Sequence, residues 1–421
     1  MSRRLQAPRG TFDVLGEDAR RRRRLTDRAA LLFERFGYAY AETPVFEDTE
    51  LFARGVGETT DIVQKEMFTF EDLGGRSMTL RPEGTAGVCR AYIEHGMHKL
   101  PQPVKVWYQG PFFRYEAPQA GRFRQFAQIG AEALGSDDPS LDAETILALA
   151  ELLAAYEMPS LRLRLGSLGT PESRRAYSEE LRAHLRERAG ELSEDVRVRF
   201  EANPLRAFDS DHPGTRAVMA EAPKLLDRLV PEDAEHFAEV RALLDDAGQP
   251  YEIDPTLVRG LDYYTRTVFE FTNDALGAQS GVGGGGRYDG LVEQLGGPAT
   301  SGVGWAAGVE RILLAKERGE GEVARDGDLL EPVYVAREEG SSPRRAFEVL
   351  RELRRSGLRA EMEQAGRSLK GQLKHANRID AVGVVVVGPD ELRVRDTRGG
   401  EELAVANATE ALAELISRAG R

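Results

Sequence analysis

Two stretches of alternating side chains, separated by one loop, limit the folds open to this chain. Side chains alternate in character over residues 104–116 and again over residues 123–134, and residues 117–122 between them are mostly small or polar. Strands joined by so short a connection must run antiparallel, because a parallel pair needs a crossover of a dozen or more residues. The sequence therefore predicts a long-looped hairpin within an antiparallel sheet.

The polar residues of this hairpin are predicted to share faces. Period-two geometry places Arg114 and Glu116 on one face of the first strand. It places Gln128, Gly130 and Glu132 on one face of the second strand. Such a convergence predicts a ligand pocket on this side of the sheet, although a polar sheet face can also be simply solvated.

Residues 257–271 form a second informative stretch. Its second half is rich in β-branched and aromatic residues, which predicts a strand. Successive side chains of a strand point to opposite faces, so Tyr263 and Tyr264 are expected on opposite sides of the sheet. One ring then enters the core and the other offers its hydroxyl to a pocket. Arg259 precedes Gly260 at the start of the stretch; an exposed arginine on an ordinary strand is the alternative interpretation.

Residues 77–86 predict a strand that ends at Pro82 and is followed by a helix capped by Thr85. Glu83 is then expected in the turn between them. A carboxylate in a turn is often only a solvated or capping group. It is also a suitable partner for a bound cation.

Two glycine-containing segments follow. Residues 281–290 match G-x-G-x-x-G, but residues 273–280 before them are not a hydrophobic strand, so a dinucleotide fold is not indicated. We expect a loop whose glycines let the backbone approach a ligand, with a plain flexible turn as the alternative.

Residues 302–314 predict a strand, a glycine and a helix. Arg311 falls in that helix's first turn, where the dipole disfavours a cation and favours a bound anion.

Length and charge set the organisation of the chain. With 421 residues it is expected to form two or three domains. The net charge of −13 argues against a large, uniformly basic surface, so an RNA ligand would meet local arginine patches. Residues 170–248 predict a charged helical region. A polar, glycine-rich linker over residues 318–328 precedes a β–α–β–α–β pattern, which predicts a small mixed α/β domain.

Several classes of protein and site are disfavoured. No apolar run approaches a membrane span, and no signal-peptide core follows Met1, so a cytoplasmic protein is expected. Cys89 is the only cysteine, which excludes an intrachain disulfide. His95 and His98 lack a third ligand nearby, so we interpret them as polar groups at a helix end and expect no metal site.

Taken together, these segments resemble the histidyl-tRNA synthetases, a family of class II aminoacyl-tRNA synthetases, over essentially the whole chain. The resemblance implies an α+β fold, in which an antiparallel sheet is flanked by helices. It implies a catalytic domain over residues 1–325 with a helical insertion at about 170–248, and an anticodon-binding domain over residues 331–421. The helix–strand–proline unit before Phe46 resembles the segment through which class II synthetases form homodimers.

The same resemblance implies ATP-dependent ligation of L-histidine to tRNA(His), with Mg²⁺ accompanying ATP. Arg114 and Arg259 correspond to catalytic residues. Histidine contacts are implied for Glu83, Thr85, Gln128, Glu132, Tyr263, Tyr264 and Tyr288. Within that set, the resemblance implies that the α-ammonium is bound by Glu83, Thr85 and Tyr288. The imidazole is bound by Glu132 and Tyr264, and the carboxylate is placed by Gln128. ATP contacts are implied for Arg114, Glu116, Arg259 and Arg311.

Two positions depart from the family pattern, and two other functions stay open. Ala117 stands where arginine is common and Ala127 where histidine is common, which affects the expected contacts with the tRNA end.

Synthetase-like regulatory subunits of histidine biosynthesis bind ligands without ligation, but are expected to lose the catalytic arginine, the tyrosines or the anticodon domain. A purely RNA-binding protein would not explain the pocket residues.

Overall fold

The computed structural model describes residues 4–57, 60–117, 121–158, 160–277, 280–320, 332–396, 402–407 and 410–411. The chain divides into two compact units, Met1–Val323 and Ala324–Arg421. Most of the predicted linker, from residue 321 onward, and residues 118–120 of the predicted hairpin loop lie outside the described residues. None of the described helices combines the length and apolar character that crossing a membrane requires.

The α-helices of the first unit are α1 (Gly16–Arg35), α2 (Thr49–Val56), α3 (Thr85–Glu94), α4 (Pro139–Ala155), α5 (Pro171–Glu187), α6 (Glu194–Arg199), α7 (Pro213–Glu221), α8 (Pro231–Asp246), α9 (Leu291–Gln294) and α10 (Val309–Glu320). Its strands are β1 (Ala39–Tyr40), β2 (Phe46–Asp48), β3 (Phe68–Glu71), β4 (Ser77–Leu80), β5 (Val104–Phe113), β6 (Gln125–Leu134), β7 (Leu161–Ser167), β8 (Glu252–Ile253), β9 (Thr265–Asn273), β10 (Gly281–Arg287) and β11 (Gly302–Gly308).

A sheet of eight strands organises the first unit, in the order β1-β5-β6-β11-β10-β9-β7-β8. Every neighbouring pair from β5 to β7 is antiparallel, and only the outer pairs β1–β5 and β7–β8 are parallel. Strands β5 and β6 pair from Val104 opposite Leu134 to Phe113 opposite Gln125. The predicted hairpin and the antiparallel sheet are thus confirmed.

Alternation along β5 and β6 sends side chains into two different clusters. Trp107 and Ile129 join a core formed with α1, α4, α8 and α10, where the rings of Phe33 and Trp107 stack with centroids 5.1 Å apart. Tyr108 belongs to a cluster on the other side, with residues of α3, α5 and α9. The second side is the one to which the predicted pocket residues of β6 point.

A bulge changes the predicted course of residues 257–271. Strand β9 begins only at Thr265, and its register with β10 shifts next to Arg287. Arg266 lies in this bulge with a φ of +41°, a left-handed conformation that is unusual for a residue with a side chain. The strand begins one residue before Arg266, so Tyr263 and Tyr264 lie ahead of β9, outside regular secondary structure.

The glycine-rich segment is also not the expected loop. Residues 281–287 form β10, an interior strand of the large sheet. Its glycines serve close packing, because a Cβ at Gly283 would lie 2.6 Å from that of Ala307 and one at Gly284 would lie 2.5 Å from the carbonyl oxygen of Phe269. A backbone this crowded admits only glycine. Because glycine runs are typical of loops and turns, the sequence predicted a loop where the structure has a strand.

The second unit contains β12 (Val333–Arg337), α11 (Pro343–Arg355), β13 (Ala360–Met362), α12 (Leu369–Arg378), β14 (Gly383–Val387), β15 (Leu392–Asp396) and β16 (Glu402–Val405). The strand order is β13-β12-β14-β15-β16, with the first three parallel and the others antiparallel. Residues of α11 and of α12 pack in two separate clusters against alternate residues of β12 and β14. The mixed α/β fold predicted for this part of the chain is confirmed.

Candidate active site

A fully buried carboxylate, Glu132 of β6, lies at the centre of the candidate site. Its Oε1 accepts hydrogen bonds from the Thr85 hydroxyl at 2.7 Å and the Tyr108 hydroxyl at 3.1 Å. Its Oε2 accepts one from the Tyr288 hydroxyl at 2.7 Å. Burial raises the pKa of Glu132 to about 8, although these hydroxyls oppose the shift. A bound cation or N–H donor would favour the ionised form, so the site suits such a group.

Glycines make room for this cluster. A Cβ at Gly304, on the neighbouring strand β11, would collide with the Glu132 carboxylate. One at Gly130 would collide with the phenol of Tyr108, which stands directly opposite it across the β5–β6 pair. The pocket therefore depends on backbone positions without side chains as well as on the polar groups that line it.

Glu83 holds the start of α3. Its carboxylate accepts hydrogen bonds from the backbone N–H groups of Thr85 at 2.6 Å and Ala86 at 3.0 Å. The prediction that Thr85 caps this helix is therefore wrong. Thr85 is the first helical residue, and its hydroxyl bonds Glu132 because Glu83 already satisfies the helix amides. Burial raises the pKa of Glu83, so a nearby cation would stabilise its charge.

Three tyrosines form an aromatic wall beside these carboxylates. The ring centroids of Tyr263 and Tyr264 are 4.7 Å apart, and those of Tyr263 and Tyr288 are 5.8 Å apart. The predicted placement of Tyr263 and Tyr264 on opposite faces is wrong, because the turn before β9 brings both into the same buried cluster. Burial raises the pKa of each phenol, which keeps all three neutral and able to donate.

Arg114 and Glu116 lie just beyond the end of β5, so their predicted placement within the strand is wrong. The pairing of β5 with β6 ends at Phe113. Even so, Arg114 is fixed in place: its Nε donates to the carbonyl of Pro82 at 2.9 Å, and its Nη1 is 3.9 Å from Oε1 of Glu116. Its side chain keeps 23% exposure, which leaves guanidinium N–H groups accessible to an anion.

Arg259 is held by one acidic partner. Its Nη1 donates to Oε1 of Glu270 at 2.9 Å. Its Nε is buried, and none of the described residues offers it a hydrogen-bond partner; the same is true of Oε1 of Gln128. Buried polar atoms are usually paired, so these two mark places where a ligand would complete the hydrogen bonding.

Arg311 is the third residue of α10, as the first-turn prediction requires. Its Nε donates to the carbonyl of Gly281 at 2.5 Å. Burial lowers the pKa of Arg311, and the neighbouring Arg122 lowers it further. Two adjacent cations at a helix N-terminus form a favourable environment for a polyanion.

Tyr108 was not identified from the sequence. It faces Gly130 across the hairpin, and a large polar side chain paired with a glycine was the available signal.

No group of three or more histidine, cysteine, aspartate or glutamate side chains suited to a metal occurs within the described residues.

Comparisons with protein families match both units. A model of the histidyl-tRNA synthetase family matches residues 10–312. A model of the anticodon-binding domain matches residues 333–415.

Similar proteins extend along the whole chain. A protein of Rubrobacter xylanophilus named histidine–tRNA ligase is 48% identical, with 97% of this chain and 99% of that protein covered. One of Desulforamulus reducens with the same name is 46% identical, with coverages of 95% and 96%. Among solved structures, apo histidyl-tRNA synthetase of S. aureus superposes with a TM-score of 0.80 at 37% identity, covering 98% of this chain and 99% of that one.

Proposed function

The chain belongs to the histidyl-tRNA synthetase family, and from that premise we propose that it ligates L-histidine to tRNA(His) in two steps, the first of which consumes ATP. Histidine and ATP first give a histidyl-adenylate and diphosphate. The adenylate then transfers histidine to the tRNA, releasing AMP. The observation that most directly supports this specificity is the buried Glu132 carboxylate with its three hydroxyl donors.

The polar groups of the pocket match the three parts of histidine. Glu132 accepts a hydrogen bond from an imidazole N–H, and the Tyr264 hydroxyl meets the other ring nitrogen. Glu83, Thr85 and Tyr288 bind the α-ammonium, and Gln128 places the carboxylate. Thr85 and Tyr288 both donate hydrogen bonds to Glu132, so the ammonium and imidazole subsites adjoin. Tyr263 packs against Tyr264 and Tyr288 and holds both rings in place.

The arginines supply electrostatic stabilisation to the first step. The histidine carboxylate attacks the α-phosphorus of ATP, and the bond to the diphosphate leaving group breaks. Arg114 and Arg259 neutralise the charge that develops on the α-phosphate, and Arg311 binds the distal phosphates. Glu116 helps to fix the nucleotide beside Arg114. A terminal ribose hydroxyl of the tRNA then attacks the carbonyl carbon of the adenylate.

Mg²⁺ is proposed to arrive with ATP. It would partly neutralise the charge on the phosphates. Its ligands would be chiefly phosphate oxygens and water molecules, with a few carboxylates. Glu116 and Glu270 are the carboxylates beside the catalytic arginines, and their oxygen donors suit this hard cation.

We also propose that the protein works as a homodimer in the cytoplasm, where its tRNA and ATP are found. Large apolar side chains are exposed on and next to the short strands β1, β2 and β3: Tyr40, Val45, Phe46 and Phe70 are 37–51% exposed. The rings of Phe46 and Phe70 meet edge to face, with their centroids 6.1 Å apart. Exposed apolar side chains of this size suit pairing with a second copy.

Diphosphate exchange separates the synthetase from the regulatory subunit and from a passive RNA-binding protein. With each amino acid supplied in turn, we expect ATP–diphosphate exchange with histidine only, since hydrogen-bonding pockets reject analogues that lack the matching groups. The measurement is incorporation of labelled diphosphate into ATP without tRNA. Histidine binding without any exchange would instead favour the regulatory alternative.

Removing the second unit is expected to separate the two steps. A chain that ends at Gly327 retains every proposed pocket residue, so it should keep histidine-dependent exchange. It should lose most tRNA charging, because the anticodon-binding domain that supplies tRNA affinity is gone. Charging is measured as histidine attached to tRNA at low tRNA concentration. Equal charging by the shortened and full-length chains would contradict a tRNA-binding role for residues 331–421.

A further inference from the structure

The helical insertion (residues 170–248) contacts the backbone of the segment that contains Arg259. Nη2 of Arg206 donates to the carbonyl of Gly260 at 2.9 Å and to Oδ1 of Asp262 at 3.2 Å. The Asn203 amide also donates to Oδ1 of Asp262, at 3.2 Å. Arg206 thus holds the backbone immediately after the proposed catalytic arginine, and both insertion side chains hold the Asp262 carboxylate.

A second contact reaches the tyrosines. Nη1 of Arg174, in the first turns of α5, donates to the carbonyl of Tyr264 at 3.0 Å. Burial lowers the pKa of Arg174, so the bond forms at a cost in desolvation that an exposed arginine would not meet. A guanidinium N–H that donates a hydrogen bond to a main-chain carbonyl fixes the backbone whatever side chain that residue carries.

A third contact anchors the bulge of β9. Nε of Arg266 donates to Oδ1 of Asp233 at 3.0 Å. Oδ2 of the same aspartate accepts from the Thr170 amide at 2.7 Å and from the Ser173 hydroxyl at 2.6 Å. Asp233 therefore joins α5 and α8 to the left-handed Arg266 near the start of β9. A residue with positive φ persists only where its surroundings hold it.

These three contacts fall within or just after residues 258–264, which lack regular secondary structure yet contain Arg259, Tyr263 and Tyr264. Other parts of the first unit also contact this loop: Arg259 bonds Glu270, the Asp262 amide donates to the carbonyl of Val56 at 3.3 Å, and the ring of Tyr263 packs against that of Tyr288. We propose that the helical insertion positions this loop for adenylate formation, with Arg206 and Arg174 as positioning residues. The inference rests on the proposed function, and it assigns the insertion a role that needs no tRNA.

The two arginines should affect different kinetic constants. Arg206 holds the backbone beside Arg259, so Arg206→Met should lower kcat for tRNA-free diphosphate exchange about tenfold or more, with KM for histidine nearly unchanged. Arg174 holds Tyr264, so Arg174→Met should raise KM for histidine. Arg206→Lys keeps the charge and one donor direction, and should recover part of kcat.

A matched control lies in the same insertion. Arg228 pairs with Glu180 of α5 through two hydrogen bonds of 2.9 Å, and both side chains are partly exposed. Arg228→Met removes an equivalent ion pair, and it should leave both constants unchanged. Thermal unfolding of all variants shows whether any loss of exchange merely reflects unfolding.

Amide hydrogen exchange tests the inference without using activity. Backbone amides of residues 257–266 should exchange faster in Arg206→Met and Arg174→Met than in the parent, and no faster in Arg228→Met. Unchanged protection of these amides in both loop variants, or kinetic constants that match the control, would overturn the positioning role. Absence of histidine-dependent exchange in the parent would instead overturn the proposed function, while the amide measurement still decides the inference.

Discussion

Replacing Arg259 with histidine lowers the rate of histidyl-adenylate formation by about a hundredfold or more, the scale for losing one preorganised charge-stabilising donor. Its guanidinium is oriented by Glu270, and its buried Nε has no partner among the described residues. An imidazole is too short to reach the same position and is largely neutral at neutral pH. Histidine affinity should fall much less, because the pocket around Glu132 is unchanged.

Single-turnover formation of the adenylate, with enzyme in excess over ATP, measures this effect directly. Arg162→His is a suitable control, since Arg162 lies on β7 of the same sheet and pairs with Asp274 away from the proposed site. A rate for Arg259→His within threefold of the parent would remove Arg259 from the catalytic assignment.

Replacing Glu132 with glutamine should raise KM for histidine far more than KM for ATP. A site that rejects analogues through hydrogen bonds discriminates by roughly 10⁴-fold, so loss of the central acceptor should remove much of that preference. Tyr264→Phe should act in the same direction more mildly. Diphosphate exchange with histidine varied at saturating ATP, and then the reverse, measures both constants. An unchanged KM for histidine in both variants would contradict this assignment of the pocket.

The pH dependence of the free energy of unfolding shows separately whether Glu132→Gln still folds. The pKa of Glu132 is raised from 4.5 to about 8, so between these values the unfolded chain releases a proton that the folded protein keeps. The free energy of unfolding should therefore fall as pH rises from about 4.5 to about 8. Glu132→Gln removes this dependence. In the absence of ligands, the variant should melt at a higher temperature than the parent at pH 8 and show no such advantage near pH 4.5.

Local periodicity was sufficient to predict the β5–β6 hairpin. Each strand follows a regular alternation, and the face shared by Gly130 and Glu132 depends on nothing beyond that alternation. The identity of the family followed from short segments whose residue types resemble known ones. Neither inference required knowledge of how distant parts of the chain meet.

The errors have a common physical origin in contacts between distant segments. The bulge at Arg266 is held by Asp233, more than thirty residues earlier, so sequence alternation alone could not place Tyr263 and Tyr264. The glycines of β10 are explained by the closeness of β9 and β11, which no local pattern reports. Thr85 satisfied the sequence rule for a helix cap, but the buried Glu132 of the distant strand β6 provides the partner for its hydroxyl.

The crowding of Glu132 against Gly304 and of Tyr108 against Gly130 limits how this protein can be redesigned. To admit a different amino acid, an engineer would ordinarily exchange single pocket side chains and keep the backbone. Here Glu132 and Tyr108 each fill the space left by a glycine on the adjacent strand, Gly304 and Gly130 respectively. A bulkier side chain at any of these positions therefore has no space. A useful library would therefore vary paired positions across β5, β6 and β11 together, and single-site libraries should yield mostly inactive proteins.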